Sequence, residues 1–446
     1  MYAKSVRRSQ LFRPGTLREQ LFNLVGRDGN TVANYQPGNY TGTLNASAWL
    51  NSIGAASSLA QATGANQPIV LPWSGTNYLW LPGVGGNYVS TPDAAANRIT
   101  GDIAVVGYGA CNAWGSGIQN AVAGKNGLTD YAVFFGIDGT LHIYVNANGG
   151  NSTVPLGLTD GVASWFAVTR VASSGVAKTY ISTDGISWTL KDTSATIAGN
   201  IPTSASALYV GTRGDTSTEP WLGKQFRVKL FNGIPPMLGG AASANPVVDW
   251  NAADWPETST NGATQASSTT GEVWTLNNTG AKPAQIVGSP SLLFDGTAHT
   301  MAMATTLIQP ETIYMVGRQV SWTSTEAIFD GAALASGELI QTTATPQLNI
   351  TAGSSVAANT NLAVGTYGVI TAVFNGASSS LQIDGNVATT GNAGAANMSG
   401  FTLGANGDDL LFGNIQVKEV IIRSTADSAA TQAAIQSLLK ALHGTP

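Results

Sequence analysis

The sequence is poor in charge, cysteine and histidine, and each shortage excludes a class of protein. Charged residues make up 10% of its 446 residues, against about 25% in ordinary soluble domains. The single cysteine, Cys111, cannot form an internal disulfide and is interpreted as a small buried side chain. The three histidines, His142, His299 and His443, are far apart in the sequence, so they give no zinc-binding pattern.

Long apolar runs are also missing. No stretch reaches the 18 or so apolar residues that a membrane-spanning helix needs, so we expect no membrane insertion. The apolar run near the start, in "LFNLVG", is too short for the core of a secretory signal. We therefore expect the protein to fold in a reducing cytoplasm, without a signal peptide.

The composition instead favours strands joined by many turns. Glycine contributes 53 residues and apolar residues reach 43%, which excludes a disordered chain. From about residue 67 onward, short apolar runs alternate with turn residues, as in all-β proteins. In "FFGIDGTLHIYV" and "YISTDGISWTL", an Asp-Gly pair lies between alternating apolar positions, which predicts hairpins with tight type I′ turns.

One loop-and-strand pattern occurs twice. Gly211-x-x-Gly214-Asp215 has the same spacing as Gly404-x-x-Gly407-Asp408, and each leads through a further glycine into an alternating strand. The Arg-Gly-Asp of the first copy is Asn-Gly-Asp in the second, so the recurring feature is the Gly-Asp turn. The pattern predicts two copies of one antiparallel β-sandwich, each with one strand face packed inward.

The domain boundary is expected in "PPMLGGAASANP", residues 235–246, which has no periodicity. This divides the chain into an N-terminal arm (1–45), a first sandwich (46–236), and a linker with the second sandwich and a terminal helix (237–446). The helix is expected over 428–444, with one apolar face against the second sandwich and Gly444 at its end.

The N-terminal residues are basic, whereas the rest of the chain is acidic. Residues 1–27 hold six basic side chains and one acid, and the remainder holds 14 basic and 24 acidic residues. Two interpretations stay open: a solvated tail, or an anchor that orders against an acidic partner. The basic and large apolar side chains that would form the anchor are Arg7, Arg8, Phe12, Arg13, Arg18, Leu21 and Phe22.

In its repeated β-strand pattern the chain resembles the concanavalin A-like, laminin-G-type sandwich superfamily. The resemblance rests on the opening strands "NYLWLPGVGGNYVSTPD" and "SLLFDGTAHTMAMAT", on the closing Gly-x-x-Gly-Asp pattern, and on the terminal helix. The segments 66–103 and 274–296 look like the lead-in to such domains in bacteriophage structural proteins. The resemblance implies two tandem jelly-roll sandwiches and, commonly, binding of carbohydrates or proteins, but no single function.

Catalysis is not expected. Some members of the superfamily are glycoside hydrolases, and retaining hydrolysis needs two carboxylates about 5–5.5 Å apart. The eight glutamates include no two within four residues, and Asp408 and Asp409, as strand neighbours, would face opposite ways. Nucleic-acid binding by the body is not expected either, because phosphate contacts need clustered Lys and Arg.

The sequence makes no cofactor certain, and calcium is a possible ligand. The resemblance implies a rim site of carboxylate, amide and backbone oxygens, which suit a hard cation. The candidate ligands are Asp215 with Glu219, and Asn406 with Asp408 and Asp409. The alternative is that these residues only shape turns in glycine-rich loops.

A carbohydrate site would be marked by exposed aromatic rings, on which sugar faces stack. Trp114 and Trp221 lie in or beside loops and are the candidates for a rim site, with Arg213 beside them. Many of the eleven tryptophans must instead serve the two cores.

These observations lead to one expected function and one alternative. The first is a bacteriophage virion structural protein, a decoration, head-fibre or tail-fibre-like subunit that folds in the host cytoplasm. Its arm would bind other virion proteins, and its lectin-like sandwiches would project to bind host-surface glycans or to pack in a homo-oligomer. The alternative is an exported bacterial adhesin or carbohydrate-binding module.

Overall fold

The protein is all-β, as the sequence predicts. The computed structural model describes residues 16–41, 44–71, 75–115, 117–195, 198–214, 219–257, 259, 261–278, 284–357 and 362–445. Within these residues it contains 32 strands and two α-helices. Neither helix is long and apolar enough to cross a membrane.

The chain forms two compact units. The continuous unit is Trp73–Gly288, and the discontinuous unit combines Met1–Pro72 with Ser289–Pro446. These bounds differ from the expected ranges 1–45, 46–236 and 237–446, because the expected boundary lies within the continuous unit. Strand pairing over long sequence distances, which short-range patterns do not specify, sets the observed division.

The discontinuous unit begins with one helix and four strands. They are α1 (Leu17–Val25), β1 (Thr31–Thr41), β2 (Ala48–Asn51), β3 (Leu59–Ala60) and β4 (Ile69–Leu71).

The continuous unit contains the next sixteen strands. They are β5 (Tyr78–Pro82), β6 (Tyr88–Thr91), β7 (Ile103–Cys111), β8 (Asn120–Lys125), β9 (Tyr131–Phe135), β10 (Leu141–Val145), β11 (Asn148–Asn151), β12 (Ser164–Arg170), β13 (Val176–Ser182), β14 (Thr189–Ala195), β15 (Leu208–Val210), β16 (Leu222–Asn232), β17 (Val248–Asn251), β18 (Thr264–Ala266), β19 (Val273–Asn277) and β20 (Gln285–Val287).

The remaining strands and the terminal helix complete the discontinuous unit. They are β21 (Ser291–Asp295), β22 (Met301–Met303), β23 (Glu311–Gln319), β24 (Ala327–Asp330), β25 (Ser336–Gln341), β26 (Leu348–Ala352), β27 (Ser355–Ala357), β28 (Gly368–Phe374), β29 (Ser379–Ile383), β30 (Thr389–Gly391), β31 (Phe401–Leu403), β32 (Asn414–Arg423) and α2 (Ala429–His443).

The continuous unit is a sandwich of two antiparallel sheets. Sheet I has the strand order β11-β10-β9-β8-β15-β6-β19-β18, and sheet II has the order β14-β13-β12-β7-β16-β5-β20, with β17 paired to β16. Side chains from both sheets share one core, for example Val133 of sheet I and Val168 of sheet II. Because successive strand residues point to opposite faces, every second residue enters this core.

The discontinuous unit repeats this arrangement in one sixteen-stranded sheet that encloses its own core. Its strands β21–β32 pair in the same order as β5–β16, which confirms the duplication expected from the sequence. The long strand β1 joins the two layers. It pairs with β32 from Thr31 to Tyr35 and with β2 from Tyr35 to Thr41.

The repeated loop has the same backbone role in both units. Gly211 and Gly404 each follow a short strand, each with φ of +89°. The Gly211 amide donates to the Val122 carbonyl at 3.1 Å, and the Gly404 amide donates to the Ile328 carbonyl at 2.8 Å. Glycine is needed in both places because positive φ disfavours other residues.

The terminal helix forms where the sequence predicts it. The Ser428 side chain accepts a hydrogen bond from the Thr431 amide, and Gly444 ends the helix in the left-handed conformation. Ile435 and Leu439 are buried, and they pack with Leu21 of α1 and with neighbours on β23, β28 and β32. The apolar face therefore packs on the discontinuous unit.

The Asp-Gly pairs form hairpins, but not always by the predicted turn. At Asp138-Gly139 and at Asp184-Gly185, only the glycine has a positive φ, so neither turn is type I′. At Asp384-Gly385 both residues do, with φ of +54° and +74°, as a type I′ turn requires. The type I′ prediction is wrong for the first two pairs because their aspartates do not adopt the positive φ that both central residues of such a turn need.

The described parts of the expected arm, residues 16–41 and 44–45, belong to the fold. Thr16 and Glu19 form a capping box at the start of α1, and Leu21 is buried. Strand β1 then pairs with β32. Within the expected anchoring arm over 1–45, these residues are therefore used in the packing of the fold.

Candidate functional site

The two tryptophans expected at a rim lie in the core of the continuous unit. Trp114 and Trp221 are 3% and 0% exposed, and their rings meet edge to face at 5.5 Å. Phe135 and Phe166 also pack against them. A sugar cannot stack on either indole, so this prediction is corrected. Loop position was a poor guide because the loops fold back over the core.

Those calcium candidates that the structure describes do not converge on a metal site. Glu219 forms an ion pair with Arg213 at 2.5 Å, and Asp215 lies outside the described residues. Asn406 is buried and its side chain accepts from the Leu410 amide at 2.8 Å, whereas Asp408 and Asp409 are exposed.

In the described part of the chain, no group of three His, Cys, Asp or Glu side chains could hold a metal ion. The Asn406 side chain does shape its loop, through the hydrogen bond that it accepts from the Leu410 amide. A residue that the sequence analysis missed, Asp330, organises this region. Its carboxylate accepts from the amides of Gly331 at 2.7 Å, Ala335 at 2.9 Å, and Gly407 at 3.2 Å.

The anchoring candidates divide into two groups. Arg18 is paired with Glu419 at 2.6 Å, Leu21 is 1% exposed, and only Phe22 of the described candidates presents a large apolar surface, at 44% exposure. Arg18 and Leu21 therefore serve the fold. The other candidates lie outside the described residues: Arg7, Arg8, Phe12 and Arg13.

The structure does bring aromatic side chains to a surface, on the outer side of sheet I. Tyr88 of β6 and Tyr209 of β15 are half-buried, and their rings meet edge to face at 5.2 Å. Their strand neighbours Val89, Leu208 and Val210 are core residues. The alternation of each strand therefore forces both tyrosines outward.

A second aromatic group lies on the same side of sheet I. His142 and Tyr144 of β10 are half-buried, with nearly parallel rings, and both contact Phe134 of β9. Their neighbours Leu141, Ile143 and Val145 enter the core. We call Tyr88, His142, Tyr144 and Tyr209 the aromatic face; Phe134, which is 3% exposed, packs against His142 and Tyr144 from within.

The register of sheet I joins the two groups. Tyr209 is opposite Gly124, Gly124 is opposite Ala132, and Ala132 is opposite Tyr144. Adjacent strands are about 4.8 Å apart, so this row spans about 14 Å from Tyr209 to Tyr144. The two residues between the tyrosines are glycine and alanine, which leaves the middle of the row free of large side chains.

The Arg213 loop crosses the middle of this row. A β-carbon on Gly124 would lie 2.2 Å from the Arg213 carbonyl oxygen, so glycine is required for the loop to approach the sheet. The Arg213–Glu219 ion pair is mostly buried, and the Glu219 carbonyl accepts from the Ala121 amide of β8 at 2.8 Å. The Arg213 loop therefore lies beside the aromatic face, whereas Trp114 and Trp221 are core residues.

Polar side chains border the Tyr88–Tyr209 pair. Asn277 of β19 is opposite Tyr88, and its amide donates to the Ser90 hydroxyl at 3.1 Å. Burial, with a smaller effect from neighbouring Tyr209, raises the pKa of Tyr88, so its hydroxyl stays neutral at physiological pH. Rings for stacking therefore lie beside hydroxyl, amide and guanidinium groups that can bind hydroxyl-rich ligands.

The residues of the aromatic face could be recognised from strand alternation in the sequence, although a search for aromatic residues beside loops does not find them. In "NYVS", "ALYV" and "LHIYV" the aromatic or imidazole residues alternate with Val, Leu and Ile. The aliphatic residues are the core positions, so the others had to point outward.

Comparisons with known proteins assign the chain to no family. No protein-family model matches the chain, and no curated protein matches it. Among solved structures, a suggested carbohydrate-binding protein from Bacteroides ovatus is 16% identical with a TM-score of 0.35, and the match covers 48% of this chain and 60% of that one. The chain thus spans less than two thirds of that protein.

Two further structures are similar at the same level. Domains LG4–5 of the mouse laminin α1 chain are 11% identical with a TM-score of 0.30, covering 83% of this chain and 89% of theirs. A heptameric SAP-like pentraxin from Limulus polyphemus is 13% identical with a TM-score of 0.26, covering 36% and 78%. Such TM-scores establish no common fold, so the all-β sandwich architecture rests on the strands of this chain alone.

Proposed function

We propose that the chain is a glycan-binding protein that uses the aromatic face of sheet I. The observation that carries this proposal is the row from Tyr209 to Tyr144, with tyrosines at both ends and the Arg213 loop between them. Carbohydrates present apolar ring faces and many hydroxyls, so they suit a surface that combines half-exposed rings with polar groups.

A glycan array probed with the full chain tests this proposal. We expect specific binding that Tyr209→Ala reduces at least tenfold, because the stacking of a sugar on one ring is lost. Ile186→Ala is the matched control: it removes a side chain that is 77% exposed in the same unit but lies on the β13–β14 loop. An array without signal, or equal loss in both variants, would contradict the proposal.

The proposed activity is binding without bond cleavage. The two glutamates whose pKa burial raises to about 7, Glu311 and Glu338, are buried in the discontinuous unit and not on the aromatic face. Mass spectrometry of a bound glycan after prolonged incubation should therefore show an unchanged mass. Hydrolysis products would overturn this part of the proposal.

We further propose that the protein is a structural component of a bacteriophage virion. The low charge, the resemblance of its lead-in segments and the basic residues before position 16 support this role. Because residues 16–41 are part of the fold, the anchoring function is assigned to residues 1–15 alone. The alternative, an exported adhesin or carbohydrate-binding module, would use the same aromatic face.

Particle incorporation distinguishes the two roles. The triple variant Arg7→Ala/Arg8→Ala/Arg13→Ala should fold normally and be absent from purified particles, whereas Arg27→Ala, an exposed control, should be incorporated. Normal incorporation of the triple variant would show that the basic residues are not the anchor. Absence of the wild-type chain from any particle would favour the adhesin.

A further inference from the structure

Two four-stranded segments hold equivalent places in the two units. We call β1–β4 (31–71) the N-terminal closing segment and β17–β20 (248–287) the internal closing segment, and we call β21–β32 and β5–β16 the bodies that they complete. The first strands of the segments pair with the last strands of the bodies, β1 with β32 and β17 with β16. The third strands pair with β22 and β6, and the fourth strands with β21 and β5.

Side chains support the equivalence. Tyr35 lies opposite Val420 and Trp250 lies opposite Val228, and both aromatic rings are fully buried in their cores. The preceding residue is a buried polar side chain in each segment, Asn34 or Asp249. The first strand of each segment therefore contributes to its core in the same manner.

The chain order of the segments differs. The internal segment directly follows the body that it completes, β5–β16. The N-terminal segment precedes β5–β16 but completes the other body, β21–β32, which begins more than 200 residues later. Residues 72–77 link it covalently to β5, so only non-covalent contacts hold it to the body that it completes.

Those contacts are specific and extensive. Arg423 of β32 donates to the Asp28 carboxylate at 2.5 Å and to the Thr31 hydroxyl at 3.0 Å. Arg18 of α1 pairs with Glu419 of β32 at 2.6 Å. Each contact would form equally well with the body of a second copy, because that body has the same residues.

A body without its closing segment would expose unpaired edges of β21, β22 and β32. Such edges bind other strands readily, so the body needs a closing segment from some chain. The N-terminal closing segment is held to this body non-covalently and is distant from it in the sequence. The segment can therefore be exchanged between copies without threading the chain.

We propose that the N-terminal closing segment, with α1, is exchanged between copies of this chain. The partner is a second copy, and the surface that receives the segment is formed by β21, β22 and β32 of that copy. Exchange joins copies into homo-oligomers without any new interface. Such an oligomer also carries several aromatic faces, which, if they bind glycans as proposed, would strengthen binding to multivalent glycan surfaces.

Cysteine pairing in the full chain tests the exchange. Ala60 of β3 and Ala302 of β22 are directly opposite each other, and both are exposed. Opposite residues in antiparallel strands lie at a separation that a disulfide can bridge. The native Cys111 is fully buried and leaves these pairs undisturbed. Full-length Ala60→Cys and Ala302→Cys chains are refolded together, oxidised and separated by size without reductant.

We expect at least a tenth of the chains in the mixture to form dimers that are crosslinked between positions 60 and 302, because exchange brings the two positions together across copies. Each variant refolded alone is the control and should stay uncrosslinked. The double variant Ala60→Cys/Ala302→Cys should crosslink nearly completely, within or between chains, which shows that the variants fold.

Three results would overturn the proposal. A double variant that crosslinks only within one chain, with no dimers in the mixture, shows that each segment stays on its own body. A double variant that does not crosslink shows that β3 and β22 are not paired. A second double variant, Ala60→Cys/Ser90→Cys, tests the other body: Ser90 lies opposite Thr275, which is the equivalent of Ala60. A crosslink within one chain of this variant would show that the N-terminal closing segment completes β5–β16 instead.

Discussion

Arg423 and Asp427 form a buried two-point ion pair at the end of β32. Arg423 Nε lies 2.6 Å from one carboxylate oxygen, and Nη2 lies 3.0 Å from the other. Asp427 also accepts from the Tyr314 hydroxyl at 2.8 Å, and Arg423 reaches Asp28 and Thr31. One guanidinium thus joins β32, the turn after it, and the N-terminal closing segment.

Replacing this arginine should destabilise the discontinuous unit. We expect Arg423→Met to lower the free energy of unfolding by about 3–5 kcal/mol, because two carboxylates lose their partner and Asp427 stays buried. Arg27→Met removes an exposed arginine of the same unit and should change stability by less than about 0.5 kcal/mol. Urea unfolding measures both, and equal stability of the two variants would contradict the assigned role.

A buried glutamate should make stability depend on pH. Glu311 is 1% exposed, neither of its carboxylate oxygens has a hydrogen-bond partner among the described residues, and burial raises its pKa to about 7. The folded state therefore holds a proton that the unfolded chain releases near pH 4.5. The free energy of unfolding therefore falls as pH rises from about 4.5 to about 7 and then levels off.

Glu311→Gln should abolish this part of the pH dependence. We expect it to be more stable than the wild type by about 1–3 kcal/mol at pH 8, with the difference vanishing near pH 4.5. Asp408→Asn, at an exposed position, is the control and should show no such convergence. Thermal unfolding between pH 4 and 8 measures the effect, and a constant difference across this range would refute it.

Gly404, the glycine of the repeated loop, should not tolerate substitution for two reasons: its positive φ and its contact with Phe294. Gly353 shares only the first and separates the two effects. At Gly404, φ is +89°, and a β-carbon would lie 2.2 Å from the Phe294 ring. At Gly353, φ is +99° with no neighbour within 4 Å. We expect Gly353→Ala to cost about 1–2 kcal/mol from backbone strain alone, and Gly404→Ala to cost clearly more. Equal losses in chemical denaturation would show that the contact with Phe294 relaxes freely.

Arg213 should contribute to glycan binding in addition to holding its loop through the ion pair with Glu219. Hydrogen bonds to charged groups contribute about 1.5–3 kcal/mol, so Arg213→Ala should raise the glycan dissociation constant by at least tenfold. Arg98→Ala, which also removes an arginine from a carboxylate pair in the continuous unit, is the matched control. Calorimetric titration measures both, and unchanged affinity for Arg213→Ala would remove Arg213 from the proposed site.

The candidate site shows which positions the sequence could indicate. Arg213 was selected because it lies in the repeated loop, and the structure places that loop beside the aromatic face, whereas the binding role of Arg213 stays a prediction. Trp114 and Trp221 were misplaced because a tryptophan beside a loop can still turn into the core. Tyr88 and Tyr209 could have been found from strand alternation, but their position on adjacent strands depends on register, which comes from distant residues.

The sequence by itself determined the elements of this protein. Alternating apolar residues specify strands, Asp-Gly pairs specify hairpins, the spacing of two glycine loops reveals the duplication, and Ser428 and Gly444 delimit the helix. These signals are local, since each depends on residues a few positions apart.

Only the tertiary structure decided which closing segment completes which body. Both bodies offer equivalent strand edges to both segments, so sequence proximity favours the wrong assignment, with residues 46–72 joined to the first sandwich. The pairing of β1 with β32 is instead stabilised by long-range contacts, among them those of Arg423 with Asp28 and of Arg18 with Glu419. Such contacts join residues about 400 positions apart, and no local pattern records them.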